Sequence, residues 1–451
     1  MSDLSISSAA ALTAATLASG DLVPILDVSA SAGSKASRIT ADELAKWTGG
    51  GAFNVKRFGA KGDARRVDDA VTTGSGTTIT SATAAFTAAD VGKQIWGISA
   101  GGILRLARTT IAAVVSATEI TLTSASATSA SGVTLILGTD DTAALQAATA
   151  AAKAVSARGT IYAPAGGYIF SELPFDFGES AVVHAACGLL GDGSNCTVFY
   201  PSPDYDFGSV ASNNGIFARF DGYGREGHIE GVRVEGHALS FSGGGSHWIL
   251  SDSGNGTTLR DVRVEGLKGF TGHLLLVSAD FLVDRCHFEG SSYLGVQVGG
   301  GGGTILNTYT GNHAYFGLYV SSVAGESNTG IHLSVVGGII DECTYESCYI
   351  SGSKDVKFTN VRFFGPVTKY ACVVDGTSKA RFVNCEVIDF GNTGNRGGLQ
   401  VLSGGVAFVT ACRFHGCGTL YGINNAGTVY DGGNNETNSK TGSAISASPA
   451  L

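Results

Sequence analysis

The chain has 451 residues, enough for one large domain or two or three ordinary ones, and 43% of them are hydrophobic, a globular fraction. Only 15% are charged, against about 25% in an average soluble protein, so Ser, Thr, Asn and Gly must cover much of the surface. A formal charge of −9, from 38 acidic and 29 basic side chains, leaves no overall footprint for a phosphate backbone or anionic lipid, which argues against nucleic acid and membrane insertion.

The first 20 residues contain Asp3 and no Lys or Arg, so they lack the basic start of a secretory signal, and no apolar run is long enough to span a bilayer. The expectation is a chain made soluble in a cytoplasm. Residues 20–47, "GDLVPILDVSASAGSKASRITADELAKW", predict a short strand, a Ser/Ala/Gly loop and a Thr-initiated helical turn. After "FNVKRFGAKGD" at 53–63, an interval rich in Thr, Ser and Ala with alternating stretches such as "TIAAVVSATEITLTS" predicts a small β subdomain over 71–138. Residues 139–159, "TDDTAALQAATAAAKAVSARG", predict the one long helix: Asp140 or Asp141 can cap its start, Ala, Leu and Gln propagate it, and Arg158 with Gly159 ends it.

Beyond residue 228 the chain repeats itself. "VRVEG" stands at 232–236 and again at 262–266, with "CHFEG" at 286–290. "IEGVRV" at 229 aligns with "LRDVRV" at 259, "VDRCHF" at 283, "ILNTYT" at 305, "VVGGII" at 335, "FTNVRF" at 358, "FVNCEV" at 382 and "VTACRF" at 409, in steps of 22 to 30 residues. Fixed apolar positions with a wandering period are the mark of a solenoid whose strands are constant and whose loops vary. No Leu ladder and no 3.6-residue pattern accompanies them, so the rungs are parallel strands, and 66 Gly against 7 Pro suit backbones that bend sharply yet stay paired. The inward column should hold Val232, Val262, Cys286, Val361, Cys385 and Cys412, followed two residues on by Val234, Val264, Phe288, Phe363, Val387 and Phe414. Nine cysteines without CxxC spacing or neighbouring histidines are expected to be reduced, mostly buried apolar groups.

"FNVKRFGAKGD", "TDDTAALQAATAAA" at 139–152, "GTIYAPAGGYIF" at 159–170 and "LLGDGSNCTVFY" at 189–200 resemble the lead-in segment, capping helix, first rung and Gly-Asp-Gly turn of the pectate-lyase-like superfamily. With the rungs, the resemblance covers most of the chain after residue 50. It implies an all-β, right-handed, single-stranded parallel β-helix with an N-terminal capping α-helix. The first 50 residues resemble the N-terminal segment of phage tail fibres and tailspikes, which joins such proteins to the virion. The expected divisions are 1–50 for virion attachment, 51–70 as lead-in, 71–138 as the inserted subdomain, 139–159 as capping helix, 160–432 as β-helix and 433–451 as a polar tail. The tailspike resemblance implies a homotrimer, assembled in the host cytoplasm and carried on the phage tail. It would attach to tail or adaptor proteins through residues 1–50 and recognise a bacterial surface polysaccharide.

The residue after each rung's last core position is Glu235, Glu265, Glu289, Gly311, Asp341, Phe364, Ile388 and His415. Stacked strands about 4.8 Å apart would make the three Glu residues a vertical column, flanked by Arg233, Arg263 and His287. Crowded carboxylates raise one another's pKa, which a general acid for glycosidic hydrolysis needs, so the three Glu residues are candidate catalytic groups and Arg233, Arg263 and His287 candidate sugar ligands. The same pattern also fits a solvated ladder of ion pairs that contributes little. Tyr309 and Tyr315, with Phe316, Tyr319 and a loop-borne Trp248, can lie against sugar rings or be buried in the coil. Asp204, Asp206 and Asp221 form a second acidic group that also fits turn capping. The Arg-Ile-Lys stretch of polygalacturonases is absent, "GGGGG" at 299–303 lacks the Lys-Ser/Thr of a phosphate loop, and neither metal nor cofactor is expected. The readings left open are a polysaccharide-binding tailspike that also hydrolyses its receptor, a spike without catalysis, and a free polysaccharide lyase.

Overall fold

The computed structural model describes residues 22–25, 37–40, 52–100, 103–125, 128–154, 159–177, 187–205, 215–222, 227–240, 247–253, 256–268, 272–277, 280–321, 331–341, 343–352, 354–365, 370–388, 398–415, 427–433 and 435–437. Its main body is a right-handed parallel β-helix of about 7 turns. One ladder of 21 strands runs from Ala52–Asn54 to Glu436–Thr437, and a second of nine, from Phe175–Asp176 to Leu399–Val401, closes each coil from the other side.

The aligned hexapeptides lie at a bend in the longer ladder. Their third residues are Gly231, Asp261, Arg285, Asn307, Gly337, Asn360, Asn384 and Ala411, all with φ between 46° and 68°. A left-handed residue turns the strand without breaking its pairing to the rungs above and below, and Asn, Asp and Gly accept that conformation with little strain. After the bend the backbone is extended again, so Val232, Val262, Cys286, Val361, Cys385 and Cys412 point inward, as do Val234, Val264, Phe288, Phe363, Val387 and Phe414, and all twelve are buried. Six of the seven cysteines with described side chains are buried too, and all seven are free thiols.

The helix occupies Thr142–Ala154, and Arg158 lies outside the described residues. Asp140 Oδ1 accepts the Thr142 N–H at 3.0 Å, the capping contact its position suggests. Asp141 does something else: its carboxylate accepts the N–H groups of Lys61 at 2.6 Å and Gly62 at 3.1 Å, tying the lead-in segment to the helix start. Burial, aided by neighbouring Asp63 and Asp140, lifts its pKa to about 6 despite those bonds.

Between lead-in and helix, six antiparallel strands from Arg65–Thr72 to Ala130–Gly138 close into a barrel with its own core of Ile79, Leu106, Ile120, Val133 and Leu135 among others. Its first strand begins at Arg65, inside the stretch read from sequence as lead-in. Trp96, Ile98 and Ile136 leave that core and pack into the β-helix's hydrophobic cluster, so the barrel docks through apolar contact. Ion pairs frame the joint: Arg66 Nη1 to Glu235 Oε1 at 2.9 Å and Arg108 Nε to Asp204 Oδ2 at 2.7 Å. In the first 50 residues, Leu22–Ile25 pairs antiparallel with Ser37–Thr40; the helical turn expected there, and the tail beyond 437, lie outside the described residues.

Candidate functional site

Strand register stacks Glu235, Glu265, Glu289, Gly311 and Asp341 in one column and Arg233, Arg263, His287, Tyr309 and Ile339 in the next. The parallel ladder thus turns repeated sequence positions into neighbours in space. The electrostatics differ from the sequence expectation because each of the three Glu residues meets an Arg or His side chain. Glu235 is 7% exposed and held by Arg233 Nη2 at 2.6 Å as well as by Arg66 of the barrel. Glu265 Oε1 lies 2.5 Å from Arg263 Nη2 and 3.5 Å from His287 Nε2, with Arg233 Nη1 3.9 Å from its other oxygen.

Glu289 is reached by His287 Nε2 at 2.9 Å and accepts the Asn312 Nδ2–H at 2.8 Å. Partial burial pushes its pKa up. The hydrogen bonds from His287 and Asn312 and the fields of His287 and Arg263 outweigh that and hold it below the ordinary carboxylate value. The raised carboxyl expected from crowding is therefore not what this Glu has: interleaved cations reverse the sign. Further along, Tyr309 stacks on His287 with ring centroids 4.4 Å apart, and its hydroxyl donates to Asp341 Oδ2 at 3.2 Å. Glu265, His287, Glu289, Asn312, Tyr309 and Asp341 thus form one polar network across successive rungs.

Glu265, His287 and Glu289 also offer three ligand atoms within 4.8 Å of one another. The Arg263 guanidinium already neutralises the Glu265 oxygen that a metal would need, so the trio fits a divalent cation poorly. An open cleft of about 540 Å3 between barrel and helix start, lined by Lys61, Asp63, Lys93 and Asp140 among others, is likewise tied up: Lys93 bridges Asp63 at 2.9 Å and Asp90 at 3.0 Å.

Among the aromatics, Trp248 is not a loop residue but lies in the strand His247–Ser253, fully buried, and has no face for a sugar. Tyr315 is half-buried and belongs to a stack missed in the sequence, between Tyr293 at 4.2 Å and Tyr345 at 4.4 Å. Each of the three stands four residues after a column member, Glu289, Gly311 and Asp341, a constant offset that could have disclosed them. The stack covers most ring faces with other rings, and Tyr293 at its end is 40% exposed. Asn312 was also missed. It follows the column's Gly311 and shares the left-handed geometry, with φ of 56°, that aims its amide at Glu289. Asp204 serves the barrel joint, while Asp206 and the Asp221 side chain lie outside the described residues.

Residues 214–387 match the family model of the right-handed β-helix region. No curated protein matches the chain. Among solved structures it is similar to ORF18 of Geobacillus virus E2, with 14% identity and a TM-score of 0.41 over 88% of this chain and 61% of that one. It is also similar to the catalytic domain of a GH87 alpha-1,3-glucanase, with 11% identity, a TM-score of 0.45 and 82% of each chain covered. A third is the tailspike gp49 of Acinetobacter baumannii bacteriophage Fri1, described as a capsular polysaccharide depolymerase, with 11% identity, a TM-score of 0.38, and 82% of this chain and 70% of that one covered. Among the described residues no helix is long and apolar enough to cross a membrane. By the fold of its main body and by the family model that part of it matches, the chain is a right-handed parallel β-helix protein.

Proposed function

We propose that the protein is a tailspike-type β-helix that binds a bacterial surface polysaccharide along the face carrying Glu265, His287, Glu289, Asn312, Tyr309 and Asp341. The observation that carries this reading is the polar network itself, which runs along the helix axis as a column of acceptors, Glu265, Glu289 and Asp341, with Asn312 beside the gap at Gly311 and His287 and Tyr309 in the adjoining column. A pocket for a small molecule would close around its ligand; an open line of polar groups at about 4.8 Å intervals suits a chain of sugar residues. Glu289, held ionised, is an acceptor for sugar hydroxyls, and the rim of Tyr309 and Tyr293 offers polar-edged aromatic surface. On this reading residues 1–50 attach the spike to tail or adaptor proteins, and three chains associate with parallel axes, which light scattering on the purified protein would test.

A second reading, hydrolysis, is favoured by one observation: oxygens of Glu265 and Glu289 fall within 4.8 Å of each other on either side of His287. Retaining glycosidases hold their carboxyl groups about 5–5.5 Å apart, but one of the pair must be protonated near neutral pH. Glu289 is held below the ordinary carboxylate value by His287, Asn312 and Arg263, which works against protonation there, and Glu265 is engaged by Arg263 at 2.5 Å. Binding without cleavage is therefore the primary conclusion. Screening the purified protein against bacterial surface polysaccharides, with release of new reducing ends measured in parallel, tests both: retention without new ends is expected. New ends that vanish in a Glu289→Gln variant would instead make the protein a hydrolase, and no retention by any polysaccharide would remove both readings.

A further inference from the structure

The shorter ladder is uncharged along most of its length. Its last six strands, Gly272–Leu276, Leu294–Val298, Phe316–Val320, Cys348–Ile350, Cys372–Val374 and Leu399–Val401, contain no Asp, Glu, Lys or Arg. On the same rungs the longer ladder carries Asp284, Glu289, Asp341, Arg362, Arg381 and Glu386. Register aligns Leu275, Gln297, Tyr319, Tyr349, Val373 and Gln400 in one column of the shorter ladder. Their neighbours within each strand, such as Val296 and Val298 or Leu318 and Val320, belong to the main core, so alternation turns this column outward. Leu275 and Val373 are buried without joining that core, and Gln297, Tyr319, Tyr349 and Gln400 are half-buried.

Aromatic rings crowd the middle of this column. Tyr319 lies 5.1 Å from Phe316 and 6.0 Å from Tyr349, Phe316 lies 5.3 Å from Tyr349, and all three are half-buried. Of two carboxylates close by in sequence, Glu346 is buried and Asp375 accepts the Tyr349 hydroxyl at 2.7 Å. Aromatic surface without charge is what sets the centre of a protein–protein contact apart from ordinary surface. The missing charge also bears on which protein. When identical copies pack about an axis parallel to their own, the residues nearest that axis face their own counterparts, so any charge there meets the same charge. A different partner could answer charge with opposite charge; a copy cannot, and this chain has a formal charge of −9 to keep away from such a contact.

We propose that the outer face of the shorter ladder, centred on Phe316, Tyr319 and Tyr349 and running from Gln297 to Gln400, is the surface through which copies of this chain associate side by side. The proposal rests on the reading above of three chains with parallel axes and adds to it the face that meets the axis. It leaves the polar network from Glu265 to Asp341, which the longer ladder carries, outside the contact.

The test is the mass of the full chain by analytical ultracentrifugation over a dilution series, with thermal unfolding alongside. It compares the parent with Tyr319→Lys, Gln400→Glu and, on the longer ladder, Lys357→Glu. Gln400→Glu keeps the size of a half-buried side chain, so it decides the matter where Tyr319→Lys fails to fold. The parent is expected to be a multimer, and each variant of the shorter ladder to raise its dissociation constant by about 10-fold or more, while the exposed Lys357→Glu leaves it unchanged. An assembly that neither Tyr319→Lys nor Gln400→Glu weakens overturns the inference and spares the three-chain reading; a parent that sediments as a monomer at every concentration ends both. Equal loss of association in Lys357→Glu also overturns the inference, since overall charge and not this face would then control the contact. If Tyr319→Lys assembles like the parent but retains less polysaccharide, the aromatic cluster is a sugar platform and the proposal falls.

Discussion

Arg66 Nη1 on the first barrel strand lies 2.9 Å from Glu235 Oε1 on the rung that opens the acidic column. The contact turns the first Glu of the "VRVEG" repeat into a joint between barrel and β-helix, while its sequence twins Glu265 and Glu289 stay on the accessible face. Glu235→Ala would leave Arg233 with only its 3.9 Å contact to Glu265 and should cost about 2 kcal/mol in urea unfolding. Arg66→Ala should cost no more than about 1 kcal/mol, because the Arg66 side chain is 41% exposed and Glu235 retains Arg233. A Glu235→Ala chain as stable as its parent would remove the joint from the account.

Acid should destabilise the protein through histidines in the coil interior. Burial pushes His247 down to about 4 and His313 to about 3, from an ordinary 6.5. Unfolded, both take up protons that the native state refuses, so their contribution to stability is present above about pH 6.5 and is lost as the pH falls. Asp141 acts oppositely: its native form, raised from 3.8 to about 6, keeps a proton that the unfolded chain releases, and its contribution is lost as the pH rises through 6. Near pH 5 two protons are refused and one retained, so stability should fall with acid by about 1.4 kcal/mol per pH unit. Denaturation midpoints against pH should give that slope, roughly doubled in Asp141→Asn and nearly flat in His247→Gln. A midpoint that rises on acidification contradicts the assignment.

Gly295 makes room for one of these histidines. His313 Nδ1 accepts the Ser291 N–H at 3.1 Å, which leaves the proton on Nε2, 3.1 Å from the Phe288 carbonyl and 3.0 Å from Thr310 Oγ1. A Cβ at position 295 would run into Thr310 Oγ1, His313 Nε2 and the Gly317 carbonyl. Gly295→Ala should therefore cost roughly 2–3 kcal/mol, read from thermal or urea unfolding. Wild-type stability would mean that the polar cluster can shift at no cost.

The bend residues differ in what they tolerate. Asn384, at φ of 52°, donates from Nδ2 to Asn360 Oδ1 at 2.7 Å, linking two rungs. Asn384→Val should lose about 1–2 kcal/mol, because a β-branched residue is strained at positive φ. Asn384→Gly gives up the amide bond but keeps the backbone free, so it should lie closer to the parent. Equal losses in the two variants would show that the amide ladder, not the bend, dominates.

The rungs were legible because a parallel coil stacks equivalent positions, so Val232, Val262 and Cys286 announce a common wall by recurring in the sequence. The same logic foretold the Glu column. What it did not foretell is charge: Arg66 reaches Glu235 from 169 residues away, and Asn312 reaches Glu289 from the next rung, contacts that set ionisation and carry no local pattern. Trp248 was misplaced because sequence alone did not tell a loop after the first repeat from an inner strand of the second sheet. The Tyr293, Tyr315 and Tyr345 offset is legible too, four residues beyond the Glu column, but it lies past the apolar positions that define the rungs.

The central claim is that the network from Glu265 to Asp341 is the saccharide-binding face. The most direct measurement is calorimetric titration of a retained surface polysaccharide into the parent and into Tyr309→Ala and Asn312→Ala, each checked for unchanged thermal unfolding. Losing Tyr309 removes the ring on His287 and the link to Asp341, and losing Asn312 frees one oxygen of Glu289. Each variant should bind about 10-fold more weakly or worse, the scale of one or two lost polar contacts. Parent-like affinity in both folded variants would contradict the claim and move the site to another face of the helix.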